Sequence, residues 1–232
     1  MKLVVLISAG AEWRALRTFF PGQEVAHSPF GEWFESPPGT FCPVAVMFFH
    51  GGWGKISAAA TVQYVLDRFQ PALLINLGTC GGFEGRIATG TLLLVEKTIV
   101  YDIFEQMGDG DAALEHYATG LDLSWLPGPL PAPLQRGLLV SADRDLLPAD
   151  IPWLVSRFQA VAADWESGAI AWVAQKNHAR CLILRGVSDL VSSGGGEAYG
   201  NLDLFRQRTA VIMGQLIVLL KEWIPALLPA LE

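Results

Sequence analysis

Short, unbroken apolar runs alternate along this chain with stretches whose apolar positions recur every three or four residues. The runs at residues 2–8, 73–77 and 179–187 are rich in Val, Leu and Ile, and 42–49 is apolar with Val, Met and Phe. They are too short for typical helices, so they predict strands buried on both faces. Residues 91–101 and 137–141 read as further strands, and 25–34 as a hairpin. Residues 155–162 follow neither period, although 160–163 can form a strand. Helical spacing marks 12–19 (closed by Pro21-Gly22), 55–69, 167–177 and 203–220. In the second of these, Ala58, Ala59, Val62, Val65 and Leu66 share one face. Gly51–Gly54 is a glycine-rich turn. Residues 121–135 carry Pro127, Pro129, Pro131 and Pro133 and read as an irregular surface loop.

Buried strands alternating with helices predict an α/β fold, a central mixed sheet flanked by helices as a three-layer sandwich. Ligands in such folds bind beyond the carboxyl ends of the strands. Four segments are thereby singled out as loops at strand ends: 8–12, 78–82, 163–166 and 188–189.

Composition narrows the function classes. The 232 residues predict a single domain over 1–232. The chain is 51% hydrophobic and only 17% charged, which excludes disorder and leaves an apolar surplus to explain. A net charge of -7 with no basic cluster argues against a nucleic-acid partner. Cys42, Cys80 and Cys181 are too few and too far apart for a disulfide framework and fit a reducing, cytoplasmic compartment. The scattered histidines His27, His50, His116 and His178 offer no zinc spacing, and no metal or cofactor is expected. Residues 3–9 are apolar, but Glu12 and Arg14 stand where a signal-peptide cleavage site belongs. Gln215, Lys221 and Glu222 interrupt the apolar C-terminal stretch, so a packed helix is expected there rather than a membrane span.

The glycine-rich segments do not match the nucleotide-binding patterns. Residues 49–56 lack the first glycine of a P-loop and carry Ile56 where Ser or Thr should follow the lysine. Gly78–Gly82 does not fit G-x-G-x-x-G. Three carboxylates remain. Glu12, Glu166 and Asp189 each follow a predicted strand and open or precede a helix. Taken singly, each reads equally well as a first-turn or capping acid. Together, at three strand ends, they point to acid/base chemistry in one crevice.

Several blocks resemble the nucleoside phosphorylase and nucleosidase superfamily, nearest its methylthioadenosine/S-adenosylhomocysteine nucleosidase branch. They are the first strand running into Glu12, Gly51-Gly52-Trp53-Gly54-Lys55 through Ala58-Ala59, and Asn76-Leu77-Gly78-Thr79-Cys80-Gly81-Gly82. Asp164-Trp165-Glu166-Ser167 and Arg185-Gly186-Val187-Ser188-Asp189 complete the set. Residues 102–135 match poorly. The resemblance implies cleavage of an N-glycosidic bond. Glu12 would activate water, Glu166 would bind the ribose hydroxyls, and Asp189, oriented by Ser188, would protonate the leaving purine at N7. It also implies substrate contacts from Thr79, Gly81, Trp165 and Arg185, and a homodimer or higher homo-oligomer.

The phosphorylases of that superfamily carry an arginine where this chain has Asn76, which favours water over phosphate as the nucleophile. A phosphorolytic enzyme and an inactive nucleoside-binding protein remain the alternatives. The chain departs from the branch at Trp165, where a methionine is usual, and at Asp145, where a base-stacking aromatic is usual. Trp165 fits stacking or core packing. Asp143 and Arg144 fit a mutual pair or contacts to a polar base. Tyr199 fits a lid aromatic or a surface residue, and Cys80 a small packing residue.

Overall fold

The computed structural model describes residues 1–131 and 134–232; Pro133, one of the four prolines of the expected loop, lies outside the described residues. In chain order the elements are β1 (Leu3–Ile7), α1 (Gly10–Arg17), β2 (Ala26–Ser28), β3 (Gly31–Ser36), β4 (Val46–His50) and α2 (Lys55–Phe69). Then come β5 (Leu73–Phe83), β6 (Leu92–Val100), α3 (Gly110–His116), β7 (Ala118–Gly120), β8 (Leu134–Ser141) and α4 (Ile151–Phe158). The chain ends with β9 (Ala162–Asp164), α5 (Ser167–Lys176), β10 (Cys181–Ser192), β11 (Gly195–Gly196) and α6 (Leu202–Leu227).

All strands belong to one mixed sheet, ordered β11-β10-β6-β8-β9-β5-β1-β4-β3-β2, with β7 on β6. β10 also pairs with β5, so β5, β10, β6, β8 and β9 close into a ring from which β1, β4, β3 and β2 extend. The expected α/β sandwich is present, and this ring is the feature that hydrophobic patterning did not reveal. Trp13 and Leu16 of α1 and Ile212, Leu216 and Leu220 of α6 pack against Val5, Ile75 and Leu184 on one face. Ala58, Val62 and Val65 of α2 and Ile170 and Val173 of α5 pack against Val4, Leu74 and Ile183 on the other. Both faces are covered, which accounts for the unbroken apolar runs. A third cluster, with Phe83, Tyr101, Val140 and Leu154, underlies α4.

The C-terminal helix is longer than expected and continues through Pro225 to Leu227. By length and composition it could cross a membrane, but it lies against the sheet with a buried face. Two further expectations are corrected. Gly78–Gly82 and Ser188-Asp189 are not loops but parts of the long, paired strands β5 and β10. Close approach of neighbouring groups explains the glycines. A Cβ on Gly186 would stand 2.2 Å from Ile212 Cγ2, so this glycine lets α6 lie flat on β10.

Gly186→Ala therefore lowers stability by about 1–3 kcal/mol through overpacking. Urea unfolding measures it; an unchanged midpoint would mean that α6 does not press on β10.

Candidate active site

One edge of β5 positions the site. β1 pairs with β5 as far as Leu77, and β9 joins the strand only at Gly81. Between them Thr79 faces the gap left by the turn from β1 into α1. Glu12, in the first turn of α1, fills that gap. Its Oε1 accepts from Thr79 N at 2.6 Å and Thr79 Oγ1 at 2.9 Å, and its Oε2 accepts from Ala9 N at 3.2 Å. Glu12 is thus both a helix-start acid and a buried acceptor at the sheet end. Burial pushes its carboxyl above the ordinary value, against the opposing pull of Arg185 and its hydrogen bonds.

Glu166 stands between β9 and α5. Its Oε1 accepts from Gly54 N at 3.0 Å, at the N-terminus of α2. Asp143 accepts from the next amide, Lys55 N, at 2.7 Å. Two distant carboxylates therefore cap α2, where the helix dipole favours negative charge. Burial pushes the Glu166 carboxyl up to about 8, with the negative charge of Asp164 adding to the effect.

Asp189 is aimed by a β-bulge. Val187 opposes Cys80 and Asp189 opposes Gly81, which leaves Ser188 as the extra residue on β10. Ser188 Oγ donates to Asp189 Oδ1 at 2.7 Å or, alternatively, to Cys80 O at 3.3 Å. Burial raises the Asp189 carboxyl above its usual range.

These three acids line one cavity of about 510 Å³. Thr79, Gly81, Trp165 and Ser188 line it as well. Arg185, expected as a substrate contact, does not; it lies beneath, 1% exposed. Its Nε donates to Asp164 Oδ2 at 2.9 Å and to Ser167 Oγ at 3.0 Å, and its Nη2 donates to Asn76 Oδ1 at 2.6 Å. Asn76 is fully buried, and its Nδ2 donates to Leu6 O at 3.1 Å. Gly78 is glycine because a Cβ there would stand 2.0 Å from Arg185 Nη1 and 2.8 Å from Glu12 Oε1.

The residues left open in sequence now have places. Asp143 and Arg144 do not pair with each other: Lys55 Nζ bridges Asp102 and Asp143, and Arg144 pairs with Asp150 at 2.7 Å. Arg144 and Asp145 line the cavity. Tyr199 also lines it, and its hydroxyl donates to Leu146 O at 2.8 Å. Cys80 borders the cavity but is buried, and desolvation drives its thiol pKa up, away from nucleophilic use. Sequence reasoning missed Trp53, whose ring lies 5.1 Å from that of Trp165 in the cavity wall. Its place inside the Gly51–Gly54 turn was the available signal. It also gave Asp164 no role. Among the described residues no His, Cys, Asp and Glu group could hold a metal ion.

The arrangement presents three carboxylates of differing hydration to one small-molecule cavity with an apolar aromatic wall. The Phosphorylase superfamily model matches residues 39–221. A 5'-methylthioadenosine/S-adenosylhomocysteine nucleosidase of Anoxybacillus flavithermus is 24% identical over 202 residues, covering 78% of this chain and 82% of the relative. The corresponding nucleosidase of Helicobacter pylori, crystallised with a pyrrolo[3,2-d]pyrimidine pyrrolidinol, superposes with a TM-score of 0.77 at 16% identity, over 96% of this chain and 98% of that one. The futalosine hydrolase of Helicobacter pylori superposes with a TM-score of 0.75 at 16% identity, over 99% and 97%.

An acid whose folded pKa is raised contributes stability that is complete below its ordinary value and is lost as pH rises through the raised value. For Glu166 that window runs from about 4.5 to about 8. Glu166→Gln cannot ionise, so its Tm relative to the parent protein should climb between pH 5 and pH 8. A difference that stays constant across that range would contradict the raised value.

Proposed function

Because the chain belongs to the phosphorylase superfamily, we propose that it is a nucleosidase that hydrolyses the N-glycosidic bond of a purine-type nucleoside or thio-nucleoside. The observation that carries this reading is the convergence of Glu12, Glu166 and Asp189, from three separate strand ends, on one cavity. The chain's similarity to a nucleosidase and to a futalosine hydrolase agrees with it.

Breaking the bond between the sugar's anomeric carbon and the base leaves positive charge on the sugar, while the bonding electrons pass to the base. Ionised carboxylates beside the sugar stabilise the first charge electrostatically, and ribose hydroxyls that donate to Glu166 favour its ionised form. Glu166 accepts hydrogen bonds from the ribose hydroxyls, held in place by Gly54 N. Asp189 delivers a proton to N7 of the purine, neutralising the second charge. Its raised carboxyl keeps the proton available nearer neutral pH than an exposed aspartate would. A water attacks the anomeric carbon and gives its proton to Glu12, whose burial makes it a stronger base than a surface glutamate. Trp53 and Trp165, their rings tilted by 56°, supply an apolar aromatic corner of the cavity next to Glu166.

Water is favoured over phosphate because the position of the phosphorylase arginine is Asn76, whose buried amide donates to Leu6 O and accepts from Arg185. Arginine geometry matches phosphate oxygens, and no comparable fork replaces it at that position. We also propose that the chain works as a homodimer or higher homo-oligomer in the cytoplasm. Trp53, Ile56, Phe104 and Met107 are exposed apolar residues on the two segments that the Lys55–Asp102 ion pair ties together, and covering them would use part of the apolar surplus of the sequence. The free, buried cysteines fit a reducing compartment.

Incubation with methylthioadenosine, S-adenosylhomocysteine, adenosine, inosine and futalosine, with and without phosphate, should release free base and free sugar from at least one, at a rate indifferent to phosphate. Formation of a sugar phosphate, or no base from any substrate, would sink the reading. Asp189→Asn should lower kcat by about 10²- to 10⁴-fold with ligand affinity largely kept. Unchanged turnover would remove Asp189 from its role. Sedimentation at micromolar concentration should give more than the 25.2 kDa of one chain; a monomeric mass would count against the assembly.

A further inference from the structure

Asp164 borders the cavity, yet its carboxylate is turned toward protein donors. Ser141 Oγ reaches it at 2.6 Å, Ser167 N at 3.2 Å and Ser167 Oγ at 2.5 Å. Arg185 reaches it through Nε at 2.9 Å and Nη2 at 2.8 Å. Both partners are buried, with side-chain exposures of 1% and 3%. Asn76 takes a second bond from Nη2. The remaining nitrogen, Nη1, is left in the space above Gly78 that it shares with Glu12 Oε1.

We propose that Asp164 is a positioning residue that acts through Arg185: it grips Nε and Nη2, turns Nη1 toward Glu12, and offsets the positive charge Glu12 would otherwise face alone. The role rests on Glu12 being the base of the proposed hydrolysis; its physical part, control of the charge on Glu12, does not.

The electrostatics follow from the geometry. Arg185 is faced by Asp164 from β9, Glu12 from α1, Glu166 from the start of α5 and Cys80 from β5. Arg185 is the cation acting on Glu12, and Glu166 is a like charge that interacts with it across the cavity. An opposite charge within a few ångströms lowers a carboxyl pKa by about 1–3 units. With Asp164 in place, part of the field of Arg185 is spent on Asp164, and Glu12 remains a competent base. Without it, Glu12 becomes easier to ionise and a weaker proton acceptor, which Brønsted behaviour converts into slower water activation. A purely structural reading also exists, since Asp164 accepts from Ser167 N at the start of α5. That reading predicts lost stability and no change in the ionisation of Glu12.

The test is a carboxyl ¹³C NMR titration of the unliganded protein, with the Glu12 resonance assigned by its loss in Glu12→Gln. In Asp164→Asn the Glu12 carboxyl should titrate at least about one pH unit lower than in the parent, and the acid limb of kcat/KM should move down with it. Asn76→Asp places a second carboxylate on Nη2 and should move Glu12 the other way. If Asp164→Asn does not fold, Asn76→Asp decides alone. A Glu12 midpoint that stays put, or moves in the opposite sense, overturns the proposal. Because the titration needs no turnover, shifted midpoints in a protein that releases no base would uphold the control of Asp164 over the charge on Glu12 and reject the nucleosidase reading instead.

Discussion

A guanidinium buried beneath the cavity organises this protein. Arg185 is 1% exposed, and taking an isolated ion out of water costs several kcal/mol. The sequence around it offsets that cost. Asp164 supplies the counter-charge, Asn76 and Ser167 supply acceptors, and Gly78 leaves room for the head group to lie on the backbone of β5. The same dry environment raises Glu12, Glu166 and Asp189, and Arg185 pulls Glu12 and Glu166 back. The protonation of Glu12 and Glu166 is thus a balance between desolvation and one buried cation, whereas Asp189 is opposed by its hydrogen bonds from Ser188 and Ala198 and by Arg208.

The fold puts these groups together by ending strands at different heights along β5. β1 stops at Leu77 and releases the chain into α1, which brings Glu12 to Thr79. β9 arrives at Gly81 and turns into α5, which brings Asp164 and Glu166. β10 runs beside β5 and carries Arg185 beneath the cavity and Asp189 in its wall, with the bulge at Ser188 between them. Two of the three acids proposed for the chemistry, Glu12 and Glu166, also serve helix starts. Glu12 satisfies Ala9 N and Glu166 satisfies Gly54 N while both face the cavity.

The runs of Val, Leu and Ile made the central strands legible because both sheet faces are covered. The periodicity of 55–69 matched α2 at both ends. Gly78–Gly82 misled because glycine is a poor strand former by propensity. It is used there for close contacts, such as Arg185 on Gly78, that only the folded chain creates. The short helices α3 and α4 offer too few turns to establish a period. The three acids were visible as types at strand ends, whereas the burial of Arg185 was not, since nothing local distinguishes a buried arginine from an exposed one. The apolar surplus also has a partial account: three core clusters and a long C-terminal helix packed on the sheet absorb most of it.

The dependence of the site on its buried cation is tested most directly by the pH dependence of unfolding for Arg185→Met. Without the guanidinium, Glu12 and Glu166 lose the charge that favours their ionised forms, so their ionisation becomes more costly as pH rises. The stability loss relative to the parent should reach about 3–5 kcal/mol near pH 8 and shrink toward pH 5 as those carboxyls take up protons. A loss of equal size at both pH values, or no loss at all, would contradict the account.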